Sequence, residues 1–420
     1  MATTADAVLK ELDALVPPHL ELYEDLHRHP ELSFQEERTS GIVADRLREL
    51  GYEVTTGIGP TGLVGVLANG EGPTVLARAD MDALPVQEAT GLPYASTATG
   101  TDASGEEVPV MHACGHDMHV TCLLAAAQLL AEHTDAWSGT FIALFQPAEE
   151  VGTGAQSMVD DGLAQAIPTP DVALGQHVMG IPHDTVASRP GPALSAADSL
   201  RVTLYGRGTH GSMPHAGTDP ILLGSAIVLR LNAIVSRELD PNEFGVVTVG
   251  SFRSGSKSNV IPGTAQLQLN LRSYDERTRL QLRAAVERIV RAECEASGCE
   301  RPPEMEYFDP FPLTENSPEV HEKVSAAFTE QFGDKAIEMT RSTGSEDFSD
   351  IPRALGVPYL FWIWGGFDPQ TYHEAEAAGT LARTIPGNHA DTFAPVAEPT
   401  LRTGVRAMTS ALLAYLAKGD

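Results

Sequence analysis

Four short, largely apolar runs constrain this chain most: Gly62 to Leu67, Thr74 to Ala79, Thr140 to Phe145 and Asp171 to Gly175. A strand with one wet face alternates apolar and polar residues with period two. Runs this uniformly apolar therefore predict strands of a mostly parallel sheet covered by helices on both faces. In open α/β sheets, ligands collect beyond the carboxyl ends of the strands, and those ends are polar here. The second run leads into Asp80-Met81-Asp82, the third into Gln146-Pro147-Ala148-Glu149-Glu150, and the fourth into Gln176-His177-Val178. Period-two geometry turns Asp80 and Asp82 to the same side.

The densest chemistry lies between the second and third runs, in Met111-His112-Ala113-Cys114-Gly115-His116-Asp117-Met118-His119. Val120, Leu123, Leu124, Ala127 and Leu130 then recur at helical spacing, so the cluster reads as a loop opening a buried helix. At a helix N-terminus the dipole and free amides favour anions, which predicts a lowered proton affinity for Cys114 and a thiolate there. Four strand ends thus bring Asp82, the Cys114 and His116 pair, Glu149 with Glu150, and His177 toward one rim.

The flanking segments complete the organisation. Apolar positions from Ala5 to His29 predict two helical pieces separated by Pro17-Pro18. The polar run Thr101 to Glu107 reads as an insertion. Near Ser188-Arg189-Pro190-Gly191-Pro192 the composition shifts to a Pro/Gly connector and the pattern changes. Beyond it come strands at 199–205, 245–252 and 265–271, helices at 220–237 and 279–294, and a last strand at 305–308. That βαββαβ order is ferredoxin-like. At 420 residues the chain exceeds one ordinary core, so the expected division is a discontinuous catalytic α/β domain, 1–188 and 305–420, with an inserted α+β lid or dimerisation domain, 189–304. Another buried strand is expected at 359–364, ahead of Gly387-Asn388-His389-Ala390-Asp391.

Composition excludes several function classes. A net charge of -29 opposes binding to nucleic acid or anionic membranes, which requires clustered Lys and Arg. No apolar run is expected to reach membrane-spanning length, and the N-terminus lacks the pattern of a secretory signal. Four cysteines in so long a chain make no disulfide framework, which points to a reducing, cytoplasmic setting; Cys294 and Cys299 are read as unpaired thiols.

Thiolate, imidazole and carboxylate gathered at one rim suit Zn, Mn, Co or Ni better than Mg or Ca. In an extended backbone Glu149 and Glu150 diverge, so Glu150 can bind metal while Glu149 faces water as general base, aided by a pKa raised through burial and its neighbour. A satisfied polar core is the bland alternative, and Cys114 as a nucleophile is the rival chemistry.

Several ordered motifs resemble the M20 metallopeptidase clan, and within it the amidohydrolase subfamily that includes hippurate hydrolases and plant auxin-conjugate hydrolases. They are Arg78-Ala-Asp-Met-Asp-Ala-Leu-Pro85, the 111–119 cluster, Phe145-Gln-Pro-Ala-Glu-Glu150, Gly175-Gln-His177, Gly208-Thr-His-Gly-Ser-Met-Pro-His215, Asn259-Val-Ile-Pro262, Gly344-Ser-Glu-Asp-Phe348 and Asn388-His389. The resemblance spans nearly the whole chain. It implies that Cys114, His116, Glu150, His177 and His389 hold two divalent ions, with Cys114 or His116 bridging, and that Glu149 is the general base. Asp82 matches a carboxylate that orients a metal-ligating histidine, whereas Asp80 stands where many clan members have that histidine. His210, His215, Asn259 and Arg272 of the inserted domain are implied to bind substrate or polarise its carbonyl, one histidine sometimes reaching across a dimer. His112, His119, His133, His183, His321 and His373 carry no comparable support.

The implied activity is metal-dependent cleavage of the amide of an N-acyl amino acid or related small conjugate, in a homodimer or higher homo-oligomer. A di- or aminopeptidase-like exopeptidase and a metal-binding, non-catalytic homologue are the alternatives.

Overall fold

A computed structural model of the chain describes residues 3–418. It forms two compact units. One takes the residues up to Ala193, Glu315–Thr340 and those from Asp347 onward; the other takes Leu194–Thr314 and Arg341–Glu346.

The first unit is built on an eight-stranded sheet in the order Glu53–Thr56, Leu63–Asn69, Gly139–Gln146, Thr74–Asp80, Val172–Pro182, Tyr359–Phe367, Val186–Ser188, Ala336–Glu338. Its four central strands, 139–146, 74–80, 172–182 and 359–367, run parallel; Leu63–Asn69 and Val186–Ser188 join them antiparallel on either side, and Ala336–Glu338 runs parallel to Val186–Ser188. Three of the sequence's apolar runs are central strands, and the first, Gly62 to Leu67, is the antiparallel strand Leu63–Asn69 beside them. Leu76, Ala77, Ile142, Leu144, Ala173 and Leu174 are fully buried, as a sheet covered on both faces requires. The helices His116–Glu132 and Ala397–Leu416 pack on each other and on the sheet. A Cβ at Gly404 would lie 2.5 Å from Cys122 Sγ and 2.9 Å from the Trp364 ring, so only glycine allows this approach.

Two details differ from the expectations. The break in the N-terminal helices falls at Leu9–Glu11, and Leu12–Arg28 runs unbroken through Pro17 and Pro18. Proline inside a helix costs about 3 kcal/mol, but Leu15, Val16, Leu22, Tyr23 and Leu26 stay on the buried side across the pair. Burial worth roughly 1.5–3 kcal/mol for each large apolar side chain outweighs that cost. The 101–107 segment is the turn of a small hairpin, Thr99–Thr101 paired with Glu107–Pro109.

In the second unit, four antiparallel strands run in the order Gly245–Ser254, Thr264–Ser273, Ala196–Tyr205, Glu304–Phe311. With helices Pro220–Ala233 and Glu276–Ala296 they make the βαββαβ topology. Here burial alternates along the strands: Ala265, Leu267, Leu269 and Leu271 point into the core while their neighbours do not. One correction concerns the membrane. The segment Pro220–Glu238 is long and apolar enough to span one by length and composition. In the fold, its Leu223, Ile227, Leu231 and Ile234 enter the core of this unit, and Leu222 and Leu229 are 70% and 76% exposed on the other side.

Candidate metal centre

The loop before the His116–Glu132 helix depends on Gly115, whose φ of 85° caps the helix; a Cβ there would lie 2.4 Å from Val178 Cγ1. This left-handed turn sets Cys114 against the Val172–Pro182 strand, with its Sγ 3.4 Å from His177 Nε2. Donor atoms of Cys114, His116 and His177 lie within 4.8 Å of one another, and so do those of Cys114, Glu150 and His389. A third group of the same tightness is His116, Glu149 and Glu150. The six residues singled out in the sequence as ligands and general base therefore meet in one place in the first unit.

Each group is held by a defined contact. Asp82 accepts the backbone amides of Glu149 and Glu150 at 3.0 and 3.1 Å and the Ser33 hydroxyl at 2.6 Å. Its Oδ1 stands 3.3 Å from His116 Nδ1, which turns His116 Nε2 toward Glu150, 3.8 Å away, and Glu149, 3.9 Å away. His177 Nδ1 donates to the Val178 carbonyl at 2.8 Å, leaving the Nε2 lone pair on the Cys114 side. His389 adopts a left-handed φ of 71°, its amide donates to Ala113 O, and Asn388 Nδ2 donates to Cys114 O and Val178 O.

The electrostatics call for positive charge. Four carboxylates, Asp80, Asp82, Glu149 and Glu150, surround a buried His116. Burial pulls the His116 pKa down, yet Asp80, Asp82 and Glu150 raise it to about 10. Glu150 is pushed up to about 8, chiefly by burial and with the Asp82 charge adding to it. The expectation of a Cys114 thiolate at a helix N-terminus is overturned in the protein alone: burial first, then Glu150, Glu149 and Asp80, push the thiol well above its usual range. A cation is needed to draw that proton off. His177 is held neutral by burial, His119 and His116, so it is poorly suited to become the imidazolium of a Cys–His nucleophile. His116 Nε2 and Glu150 Oε1 are buried without a hydrogen-bond partner, atoms that divalent ions would satisfy.

The structure also assigns contacts that sequence spacing does not reveal. Asp80 and His119 join Cys114's neighbourhood as a buried pair: the Val178 amide donates to His119 Nε2 at 3.0 Å, so the proton sits on Nδ1, which donates to Asp80 Oδ1 at 2.5 Å. Although Asp80, His116 and His119 cluster closely enough for an ion, both His119 nitrogens are thereby committed. Asp80 is neutralised by Arg78 Nη1 at 2.6 Å, and Arg78 also donates to Gln146 and Asp347. His112 is buried with both ring nitrogens unpaired.

The residues expected to contact substrate lie in the second unit. His210 and Asn259 are both exposed: His210 lies on the short ladder Thr209–His210 with Val260–Ile261, Asn259 in the turn immediately before it, and His210 Nδ1 lies 2.8 Å from Ser212 Oγ. His215 is exposed in the turn that follows. Arg272 is half-buried; its Nε donates to Asn270 Oδ1 and its Nη1 to Thr343 O and Ser345 Oγ, and no carboxylate among the described residues pairs with it.

A sheet carrying thiol, imidazole and carboxylate donors beside a further buried carboxylate defines a metal-dependent hydrolase. The chain matches the model of Peptidase family M20/M25/M40 over residues 76–382 and belongs to that family; it is a hydrolase of amide bonds. It is 36% identical over 348 residues to thermostable carboxypeptidase 2 of Saccharolobus solfataricus, covering 81% of this chain and 84% of that one. To the hippurate hydrolase of Campylobacter jejuni it is 37% identical over 340 residues, 80% of this chain and 85% of the relative. The crystal structure of the Bacillus subtilis YXEP protein, a dinuclear metal-binding peptidase from the M20 family, matches with a TM-score of 0.75 at 25% identity, covering 95% of this chain and 97% of that one.

Proposed function

We propose that the chain cleaves the amide of N-acyl amino acids or related small conjugates, with Glu149 as general base and Cys114, His116, Glu150, His177 and His389 as ligands of two divalent ions. The observation that carries this is the pair of donor triads sharing Cys114, with Glu149 beside His116 and Glu150. Zn, Mn, Co or Ni suits this donor set, and when bound supplies the Lewis acidity that polarises a carbonyl and makes water more acidic. Glu149 takes the proton of the attacking water and returns it to the leaving amine. Asp82 orients His116 and fixes the backbone of Glu149 and Glu150. His210, Asn259 and Arg272 bind substrate, Arg272 offering its guanidinium to a carboxylate.

The exposed Leu222 and Leu229 beside the edge strand Gly245–Ser254 support a homodimer through the second unit. Four free cysteines support a reducing, cytoplasmic location. The carboxypeptidase relative favours a second reading, removal of a C-terminal residue from short peptides. A screen of N-acetyl, N-benzoyl and longer N-acyl amino acids against dipeptides, before and after chelation and readdition of Mn or Zn, separates the two. Metal-restored turnover of acyl amino acids above dipeptides is expected; chelator-insensitive turnover contradicts the metal centre.

A further inference from the structure

Three consecutive amides, those of Ala148, Glu149 and Glu150, end on buried carboxylates. Asp82 takes the last two, and Glu36 Oε1 accepts the Ala148 amide at 2.8 Å. The same oxygen accepts the Phe34 amide at 3.0 Å, and Glu36 Oε2 accepts the Thr61 hydroxyl at 2.5 Å. Glu36 itself has no exposed surface. Phe34 and Ala148 have left-handed φ values of 62° and 52°, a conformation that residues with a Cβ avoid unless their surroundings enforce it. One carboxylate oxygen thus grips the two strained amides together. The adjacent Ser33 hydroxyl holds Asp82, so the 33–36 turn braces both carboxylates that anchor the 148–150 backbone.

We infer that Glu36 is a positioning residue for amide hydrolysis, locking Ala148 left-handed so that the carboxylate of the next residue, Glu149, is aimed at the reacting water. The inference rests on the reading of Glu149 as general base. Its hydrogen bonds go to Phe34 N, Ala148 N and the Thr61 hydroxyl, so it acts through the peptide that carries Glu149. An apolar residue in its place leaves the buried Ala148 amide and Thr61 hydroxyl, and the part-buried Phe34 amide, without their acceptor. Glutamine keeps an oxygen for the two amides.

The test compares Glu36→Ala, Glu36→Gln and Thr61→Val for kcat, KM, bound metal by elemental analysis and thermal stability, with Glu149→Gln alongside. Misaiming a catalytic group without removing it lowers kcat with little change in KM, so Glu36→Ala is expected to lose roughly tenfold or more in kcat, keep KM within about threefold and retain its metal. Glu36→Gln is expected to restore most of that turnover, and Thr61→Val to lose about threefold, so these two decide the matter if Glu36→Ala does not fold. An unchanged kcat in Glu36→Ala, or in Thr61→Val where the alanine variant is unfolded, overturns the inference. So does a Glu36→Gln variant as impaired as Glu36→Ala, or a kcat loss that only parallels metal loss. If Glu149→Gln is inactive while Glu36→Ala is fully active, the inference alone falls; if Glu149→Gln turns over normally, the reading beneath it falls and takes the inference with it.

Discussion

The centre around His116 and the hairpin carrying His210 are both rich in histidine, yet they are held in opposite ways. At the first, buried charges crowd together: four carboxylates, of which Asp80 is paired with Arg78, face one imidazole, and the nearby thiol is kept protonated. At the second, His210 and Asn259 are exposed and His210 leans on a serine. Desolvated, unbalanced charge is costly unless something compensates it. The first arrangement therefore argues for cations by its own energetics, whereas an exposed hairpin costs nothing to leave empty and draws its functional reading from family resemblance.

This contrast can be broken at the contacts that hold the first site. His119→Asn keeps a donor for Asp80 but removes the acceptor of the Val178 amide, while His119→Gln does the reverse. Removing a group that orients a ligand typically costs 10–100-fold in metal affinity, so His119→Asn should weaken Mn or Zn binding by about that factor in chelator competition. His119→Gln should weaken it less. Equal affinities in both variants would detach the Val178 amide from the site.

At Arg272, elsewhere in the second unit, the effect should be smaller and of another kind. On the proposed role of Arg272 as a fork for the substrate carboxylate, Arg272→Ala is expected to raise KM for an acyl amino acid roughly tenfold, with metal content unchanged. An unchanged KM would leave Arg272 as a strut for Thr343 and Ser345.

The smallest expected effect is a pH dependence of stability. His27 is buried between Asp117, 2.7 Å from Nδ1, and Glu88, 3.2 Å from Nε2. Burial lowers its pKa, but those two bonds outweigh burial and raise it to about 9. Because the folded value lies above the unfolded 6.5, the stabilisation is complete below about pH 6.5, declines between 6.5 and 9, and is gone above that. The midpoint of thermal unfolding should fall across this window, and His27→Gln should flatten that part of the profile. A profile unaffected by the substitution would mean that His27 is neutral in the folded protein.

Much of this was legible in the sequence because strand chemistry is local. Unbroken apolar runs marked the central strands, and their polar ends marked Asp82, Glu149, Glu150 and His177. Cys114 and His116 stood out by density, and His389 by resemblance. What stayed hidden depends on partners distant in sequence. Nothing near His119 signals that its acceptor nitrogen meets the amide of Val178, 59 residues away, or that Glu36 reaches Ala148 across 112 residues. The Cys114 thiol was misread because the helix terminus is a local feature, whereas the burial and carboxylates that dominate its proton affinity come from the assembled sheet. Pro17 and Pro18 misled for the same reason: burial of the helix on the core outweighs a local penalty.

With ion binding and proton transfer assigned to different residues, the two should separate in Glu149→Gln. Metal content by elemental analysis and turnover of an N-acyl amino acid, measured on the same preparation, test this directly. Retention of the full metal complement, with kcat reduced about 100-fold or more as expected for loss of a general base, is the predicted result. Wild-type turnover with metal bound would contradict the account.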